Sequence, residues 1–275
     1  MKVSSLHIYP VKSCAGIEVR EADVFARGLQ HDRRWMVVDM NGRFMTQRDW
    51  PQMALINVTI TGQGLQLSVP GQAAMSVVIP TGPLVQVAVW KSSLALPMAD
   101  EAVNEYLSDF MGHPCRLVYL PDSITRDITS SRGKPGDEVS LADGFPVLIA
   151  TTASLVDLNA RLEKPLPMNR FRPNVVIEGA DAWGEDSWHM VQIGGVQFEL
   201  PKPCTRCNLT QVDQQRGEED GKEPIRTLRK FRFSLVEAGV LFGMNATPRS
   251  AGVIKAGDDV IILSRQEPAP LLQRA

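Results

Sequence analysis

Residues 191–213, VQIGGVQFELPKPCTRCNLTQVD, contain a predicted strand hairpin followed directly by a pair of cysteines. Apolar and polar residues alternate on both sides of Gly194 and Gly195, which is typical of two antiparallel strands joined by a tight turn. Cys204 and Cys207 then enclose a threonine and an arginine, in a chain that has only 4 cysteines. The stretch therefore predicts β structure that ends in a segment bearing two thiols.

Further strand signals, either period-two alternation or runs of apolar, aromatic and β-branched residues, lie on both sides of this stretch and are separated by Gly, Pro and Asn. They predict strands within 3–11, 33–39, 56–70, 83–90, 115–121, 145–150 and 171–179, and a closing hairpin over 253–263. Helical spacing appears in 99–112, where Asp100 can cap the helix and Gly112 can stop it, in 152–163, where Ser154 and Asp157 have capping-box spacing, and in 223–231. The predicted fold class is mainly β with a few helices (α+β), as closed or nearly closed β architecture in two units.

One polar stretch, residues 122–144, is rich in Gly, Pro, Ser and Asp and is the best candidate for a domain boundary. It predicts a first domain over 1–120 and a second over 121–265, followed by a tail over 266–275. No internal repeat and no low-complexity tract interrupts this division.

Composition excludes several classes of protein. The chain has 275 residues, 44% hydrophobic and 22% charged, with a formal net charge of -2, which gives no general attraction to nucleic acid or anionic membrane. The N-terminal residues MKVSSLHIYPVKS lack the apolar core of a signal peptide, and no apolar run reaches the ~18 residues of a membrane helix. Few cysteines without a secretory signal favour a reducing compartment. We therefore expect a soluble, cytoplasmic protein.

Basic residues stand at the ends of three predicted strands. Lys12 and Ser13 follow the first strand, and Arg33 and Arg34 head another, where successive side chains face opposite sides, so one of them can point inward and would then need an anionic partner. Arg170 and Arg172 are expected to share a face before the strand in 171–179. Because arginine suits bidentate binding of phosphate or carboxylate, the three spots together suggest a ligand that bears phosphate.

The cysteine pair has several possible roles. Zinc would require a second thiol or histidine pair at similar spacing, and the other cysteines and the four histidines are scattered. A thioredoxin-like dithiol would begin a helix, whereas NLTQVDQQ is predicted as strand or loop. A purely structural pair stays open at this point, and so does a ligand for a heavier metal.

The sequence resembles the family of MOSC-domain proteins that carry an N-terminal MOSC β-barrel domain, a group that includes the amidoxime-reducing components and bacterial reductases of N-hydroxylated bases. The resemblance rests on an ordered set of segments that lies within residues 6–262: YPVKSCAG, GLQHDRRWMVVD, FPVLIATTASLVDLNARL, FRPNVVIEGADAWGEDSW, PKPCTRC, LFGMN and GVIKAGDDV. It implies an N-terminal β-barrel-like domain followed by a MOSC β-barrel domain.

The resemblance also implies a molybdenum cofactor, in which a pterin dithiolene bears a phosphate. The family's metal ligand falls on Cys207, and Arg206 beside it is a candidate for stabilising anionic charge. Cys204 matches a cysteine that does not bind the metal and is expected to be a small buried supporting residue. The positions that match cofactor-binding residues of the family are Lys12, Ser13, Arg33, Arg172, Thr205, Arg206 and Asn245.

The activity implied by the resemblance is the two-electron reduction of small N-hydroxylated substrates, namely amidoximes, hydroxylamines and hydroxylaminopurines. Because the sequence lacks a cysteine-rich cluster motif, electrons are expected from a separate donor protein: a flavin reductase, a ferredoxin-like protein or a haem carrier. No partner among nucleic acids or membranes is expected.

Two alternatives remain open from the sequence: a sulfur carrier, in which Cys207 would hold a persulfide, and a non-catalytic module that binds the cofactor. For a substrate ring, 45–50 and 181–188 are candidate rim loops, and Trp50, Trp183 and Trp188 are candidate contacts, although packing is the more common role of such tryptophans.

Overall fold

Short β-strands dominate the computed structural model, which describes residues 1–272. The strands are β1 (Lys2–Ile8), β2 (Ile17–Val19), β3 (Glu21–Phe25), β4 (Gly28–Leu29), β5 (Trp35–Asp39), β6 (Asn57–Thr61), β7 (Gly64–Ser68), β8 (Met75–Val78), β9 (Leu84–Val89), β10 (Ser92–Pro97), β11 (Cys115–Tyr119), β12 (Val147–Thr151), β13 (Val175–Glu178), β14 (Trp188–Ile193), β15 (Val196–Arg206), β16 (Val212–Asp213), β17 (Glu218–Glu219), β18 (Phe233–Ser234), β19 (Gly239–Pro248), β20 (Gly252–Lys255) and β21 (Val260–Arg265). The α-helices are α1 (Glu101–Met111), α2 (Thr152–Asn159) and α3 (Ile225–Phe231), and 3-10 turns cover Pro51–Leu55, Met168–Arg170, Gly184–Ser187 and Asn208–Gln211. The predicted fold class, mainly β with a few helices, is confirmed.

The principal sheet has the strand order β2-β1-β13-β12-β19-β15-β14-β21, and β18 adds to β19. Its neighbouring strands are antiparallel except for β12 and β13, which run parallel. Leu6 of β1 stands opposite Val175 of β13, so the segment that leaves β1 lies beside the segment that enters β13. This pairing brings residues far apart in sequence to one edge of the sheet.

Two large apolar cores stabilise the molecule. One lies against the principal sheet and includes the fully buried Trp188 and Phe198, and the other lies among β5–β8, α1 and β11 and includes Trp35 and Leu107. Each fully buried side chain of this kind contributes about 1.5–3 kcal/mol to folding. The cores hold the strand ends, and hence the loops, in fixed positions.

Strand pairing crosses the predicted domain boundary at residue 120. β1 pairs with β13, and β3 pairs with β20, so N-terminal strands complete sheets of the second half. The domain bounds 1–120 and 121–265 therefore stay a prediction. Of the predicted tail, residues 273–275 lie outside the described residues.

Residues 122–144, the predicted linker, contain no named strand but are tied down from within. The buried guanidinium of Arg126 donates hydrogen bonds to the carbonyl oxygens of Ser140 (2.7 Å), Ala142 (2.6 Å) and Asp143 (3.2 Å). Because a buried arginine must satisfy its donors, this contact fixes the path of the chain just before β12.

Two local predictions are wrong. The segment 253–263 does not form a hairpin, because β20 pairs with β3 and β21 pairs with β14. Ser154 and Asp157 do not form a capping box, because α2 begins three residues earlier than that box requires and Thr151 Oγ1 accepts the hydrogen bond from Ser154 N at 3.2 Å. Asp100 precedes α1, as predicted, without a side-chain capping bond.

Within residues 1–272, no helix is both long enough and apolar enough to span a membrane.

Candidate active site

One open cavity of about 150 Å³ is lined by every residue that the family resemblance assigned to the site. These residues are Lys12, Ser13, Arg33, Arg172, Thr205, Arg206, Cys207 and Asn245. Their roles stay predictions, but their convergence follows from the sheet. Lys12 and Ser13 leave β1 where Arg172 enters β13, and Lys202 near the end of β15 stands opposite Asn245 of β19.

Arg33 lies in a polar network on the cavity floor. Its Nη1 lies 2.6 Å from Asp32 Oδ2 and 3.0 Å from Asn174 Oδ1. The carboxylate of Asp32 is fully buried and also accepts the backbone N–H of Tyr9 at 2.8 Å. As expected of one member of the pair, Arg33 points inward with an anionic partner, but it lies in a turn before β5 and not in the strand, and Arg34 turns away toward Asp122 at 2.9 Å.

Arg172 is buried in the same wall but has no carboxylate partner among the described residues. Its Nη2 makes no hydrogen bond, and its Nη1 has only Gln214 Oε1 at 3.5 Å. Burial lowers the pKa of Arg172 to about 10. Because an unpaired buried cation is costly, this site is preorganised for an anion.

Tyr9 supports both arginines. The guanidinium carbons of Arg33 and Arg172 lie 4.4 Å and 4.2 Å from the centroid of its ring, within the range of cation–π attraction. The Tyr9 hydroxyl donates to Pro173 O at 3.0 Å, and burial raises its pKa to about 12, so the ring stays neutral. Gly16 permits this position, because a Cβ there would lie 2.5 Å from the Tyr9 ring.

Backbone strain is concentrated at these anchors. Ser13, Arg33 and Arg172 have φ angles of 64°, 48° and 54°, which are left-handed values that non-glycine residues rarely adopt. Each such residue costs about 1–3 kcal/mol and persists only where the surrounding structure holds it. Three strained residues in one cavity are typical of a binding site.

Lys12 is the third cation of the cavity. It is 5% exposed, donates to Leu141 O at 3.0 Å and forms an ion pair with Asp143. Burial lowers the pKa of Lys12, and Asp143 opposes that effect. Asp143 lies in the segment predicted as a linker, so this part of the chain forms a wall of the site.

The cysteine segment closes the other side of the cavity. Cys207 is exposed, whereas Cys204 is half-buried and also lines the cavity, so the prediction that Cys204 is buried is wrong. Arg206 Nη1 lies 2.9 Å from Cys204 Sγ, and its Nη2 donates to Phe171 O at 2.6 Å. Arg206 Nε is buried without a partner.

Not every sequence-based candidate reaches the cavity. Arg170 lies in the 3-10 turn Met168–Arg170 and pairs with Asp213 (3.1 Å) and Asp220 (2.7 Å), so it does not share the cavity face with Arg172 as expected. The candidate loop 45–50 contributes Thr46 and Arg48 to the cavity, whereas 181–188 contributes nothing.

The three candidate tryptophans all pack against other rings or within a core. Trp188 is 1% exposed, Trp183 contacts Phe242 and Phe231, and Trp50 lies against His113. Asp143 and Trp90, which lie at or beside the cavity, were not predicted from the sequence. The signal for Trp90 was its position: it stands in a two-residue hairpin turn, where Asn or Gly is usual.

Protein side chains do not form a complete metal site here. Among residues 1–272, no three His, Cys, Asp or Glu side chains are grouped closely enough to hold a metal ion. A metal at Cys207 would therefore need ligands from a bound organic group.

Two family models match the chain: the MOSC N-terminal beta barrel domain over residues 1–114 and the MOSC domain over residues 136–261. Mitochondrial amidoxime-reducing component 1 of Mus musculus is 35% identical over 280 residues, which cover 96% of this chain and 82% of that protein. The chain belongs to this family of MOSC-domain proteins. The Homo sapiens component 1 is 36% identical over 282 residues (96% of this chain, 83% of that protein), and the Bos taurus component 2 is 34% identical over 278 residues (94% and 82%). The predicted two-domain family architecture is thus confirmed.

The residues of the cavity fit the cofactor that family membership implies. A phosphate-bearing group would meet the unpaired nitrogen of Arg172 and the cations Lys12 and Arg33, and a metal bound to the dithiolene could accept the exposed thiolate of Cys207. The MOSC-domain chain thus offers both an anion-binding wall and a soft ligand in one cavity.

Proposed function

We propose that this protein is a molybdenum cofactor-dependent oxidoreductase that reduces N-hydroxylated compounds such as amidoximes, hydroxylamines and hydroxylaminopurines. The observation that carries the proposal is one cavity lined both by an exposed thiol, Cys207, and by the buried Arg172, whose Nη2 has no hydrogen-bond partner. The names of the relatives, amidoxime-reducing components, support the substrate class.

Different residues of this chain would bind the metal, the phosphate and the pterin of the cofactor. Cys207 would supply a thiolate to the metal, and Lys12, Arg33 and Arg172 would hold the phosphate. Ser13, Thr205 and Asn245 would donate or accept hydrogen bonds along the pterin. When bound, the cofactor supplies two-electron chemistry that the side chains alone lack.

The overall reaction consumes two electrons and two protons, breaks the N–O bond of the substrate, and releases water as a new N–H bond forms. Arg206 would hold the cysteine segment in place, because its Nη2 is bonded to Phe171 O and its Nη1 to Cys204 Sγ. Its charge next to the metal ligand would also favour anionic charge there. Exposure of Cys207 leaves the reacting position open to substrate.

Electrons would come from a separate donor protein, a flavin reductase, a ferredoxin-like protein or a haem carrier, because 4 dispersed cysteines cannot form an iron–sulfur cluster site. The cytoplasmic location and the absence of nucleic-acid and membrane partners stay predictions.

The test is molybdenum analysis, with pterin quantified, on protein from a host that makes the cofactor. We expect near-stoichiometric molybdenum in the wild type, loss of metal and activity in Cys207→Ser, and retained metal in the matched control Cys204→Ser. Dithionite-driven reduction of a hydroxylaminopurine then tests catalysis.

Absence of both metal and pterin, under conditions where a relative loads fully, would contradict the proposal. Labile sulfane sulfur on Cys207 in such protein would favour a persulfide carrier. Equal loss of molybdenum from both cysteine variants would refute the separate roles given to the two thiols.

A further inference from the structure

A second, shallower cavity opens beside the one described and contains the most exposed aromatic ring near the site. It is lined by Arg43, Phe44, Arg48, Asp49, Ala88, Trp90 and Asn208. Trp90 is 51% exposed, so part of its large aromatic ring is open to solvent. Arg48 lines both cavities, and Asn208 directly follows Cys207, so the two cavities adjoin.

The backbone holds Trp90 there at a cost. Trp90 and Lys91 form the two-residue turn between β9 and β10, and the φ angle of Trp90 is 54°. Such turns favour Asn and Gly, because a Cβ is strained at positive φ. A tryptophan at this position is therefore maintained against its backbone preference, as are the anchors Ser13, Arg33 and Arg172.

The orientation of the ring is fixed by the site itself. Trp90 Nε1 donates to Asp143 Oδ1 at 3.1 Å, and Asp143 is the ion-pair partner of Lys12. The Phe44 ring lies 5.3 Å from the Trp90 ring with a tilt of 51°, and the guanidinium carbon of Arg48 lies 5.1 Å from the Trp90 centroid. Trp90 is thus rigidly connected to the cofactor-anchoring wall.

Resting on the proposed function, we propose that Phe44, Arg48 and Trp90 form an outer substrate subsite that selects N-hydroxylated compounds with a planar aromatic ring. The ring of the substrate stacks on the exposed face of Trp90 while its N-hydroxyl group reaches the position of Cys207. Arg48 borders the ring and makes no ion pair with the described residues, so its guanidinium can stack on a π system or meet a ring acceptor. Stacking of this kind is tolerant of ring identity, because every aromatic ring has a π face.

The test compares two amidoximes that differ by the ring, benzamidoxime and acetamidoxime, on cofactor-loaded Trp90→Ala, Trp90→Phe and wild type. We expect Trp90→Ala to raise the KM for benzamidoxime about tenfold, equivalent to about 1.4 kcal/mol, and to leave the KM for acetamidoxime unchanged. Trp90→Phe should restore most of the loss, because it keeps an aromatic face. Lys91→Ala, in the same turn, should behave as wild type, and circular dichroism checks that each variant is folded.

Equal changes for both substrates, or none for either, would overturn the subsite. A fall in rate that is the same for both substrates and is reversed by excess electron donor would assign Trp90 to donor docking instead, and would also overturn it. If the wild type reduces neither amidoxime, the proposed function fails. The subsite is then judged by calorimetric titration with benzamidoxime, where weaker binding to Trp90→Ala than to Trp90→Phe supports it and equal binding refutes it.

Discussion

Replacing Arg172 by Met should stabilise the cofactor-free protein and at the same time weaken its hold on the cofactor. Arg172 is 6% exposed, lacks a carboxylate partner and has one nitrogen without any hydrogen bond. Methionine keeps an unbranched apolar side chain of similar length and removes the charge. Both residues carry a Cβ, so the strain at a φ angle of 54° is unchanged.

The expected change in stability follows from the pKa of Arg172. Burial lowers the pKa of Arg172 from 12.5 to about 10, and each unit corresponds to about 1.36 kcal/mol, so the buried charge costs about 3 kcal/mol. For a cation whose pKa is lowered on folding, this cost is complete below the folded pKa and disappears as pH rises to the unfolded value. It is therefore fully present at pH 7. Loss of the cation–π contact with Tyr9 costs about 1 kcal/mol. Arg172→Met should therefore raise the free energy of unfolding by about 2 kcal/mol.

The assay is urea denaturation at pH 7 of protein from a host that cannot make the cofactor. Arg170→Met is the matched control, because Arg170 is equally buried but paired with Asp213 and Asp220. Arg170→Met removes the buried guanidinium from these two carboxylates and from Gln211 O, and should destabilise the protein by about 1–3 kcal/mol. In protein from a host that makes the cofactor, Arg172→Met should lose a contact worth about 2–5 kcal/mol, seen as faster release of molybdenum.

Destabilisation of the cofactor-free protein by Arg172→Met, with unchanged retention of molybdenum, would refute the reasoning. It would mean that Arg172 serves the fold rather than a ligand.

Three further predictions concern pH, strain and charge. Burial raises the pKa of Glu185 to about 7 from 4.5, so this carboxyl group should contribute about 3 kcal/mol of stability below pH 4.5 that is lost as pH rises above 7. In urea denaturation, the stability of the wild type relative to Glu185→Gln should therefore be about 3 kcal/mol lower at pH 8 than at pH 4, and an unchanged difference would contradict the prediction. Trp90→Gly should be about 1 kcal/mol more stable than Trp90→Ala, because only glycine is relaxed at positive φ, and equal stabilities would argue against strain in the turn. Asp143→Asn should destabilise the cofactor-free protein by about 1–3 kcal/mol, because it leaves the buried Lys12 ammonium without its counter-ion. Asp122→Asn is the control, because the exposed carboxylate of Asp122 pairs with Arg34, and it should change stability by less than about 1 kcal/mol.

Most strands and helices could be predicted because their signals are local. Aromatic and β-branched residues in 33–39, alternation in 56–70 and helical spacing in 99–112 each reflect side chains that must be buried, and the structure has elements there. The hairpin predicted over 253–263 fails for a different reason. Alternation shows that β20 and β21 each have a buried face, but not that their partners are β3 and β14, which are distant in sequence.

The candidate site shows the same division. Strand-end cations and the cysteine pair are visible in the sequence, and the family resemblance selected the residues that the structure brings together. Asp143 and Trp90 were missed because one lies in a polar stretch that resembled a linker and the other in a hairpin turn. Both residues join the site only in the folded chain, where Asp143 pairs with Lys12 and accepts a hydrogen bond from Trp90.

The sequence by itself determined that this is a mainly β protein of the MOSC family, with basic residues and thiols at strand ends. Only the tertiary structure decided how these residues are partnered: Arg33 is paired with Asp32, whereas the buried Arg172 has a nitrogen without any hydrogen bond. The physical reason is that a side chain's direction depends on the register and closure of the sheet. Which cation is buried without a partner therefore depends on contacts between residues more than 100 positions apart, such as Arg33 with Asn174.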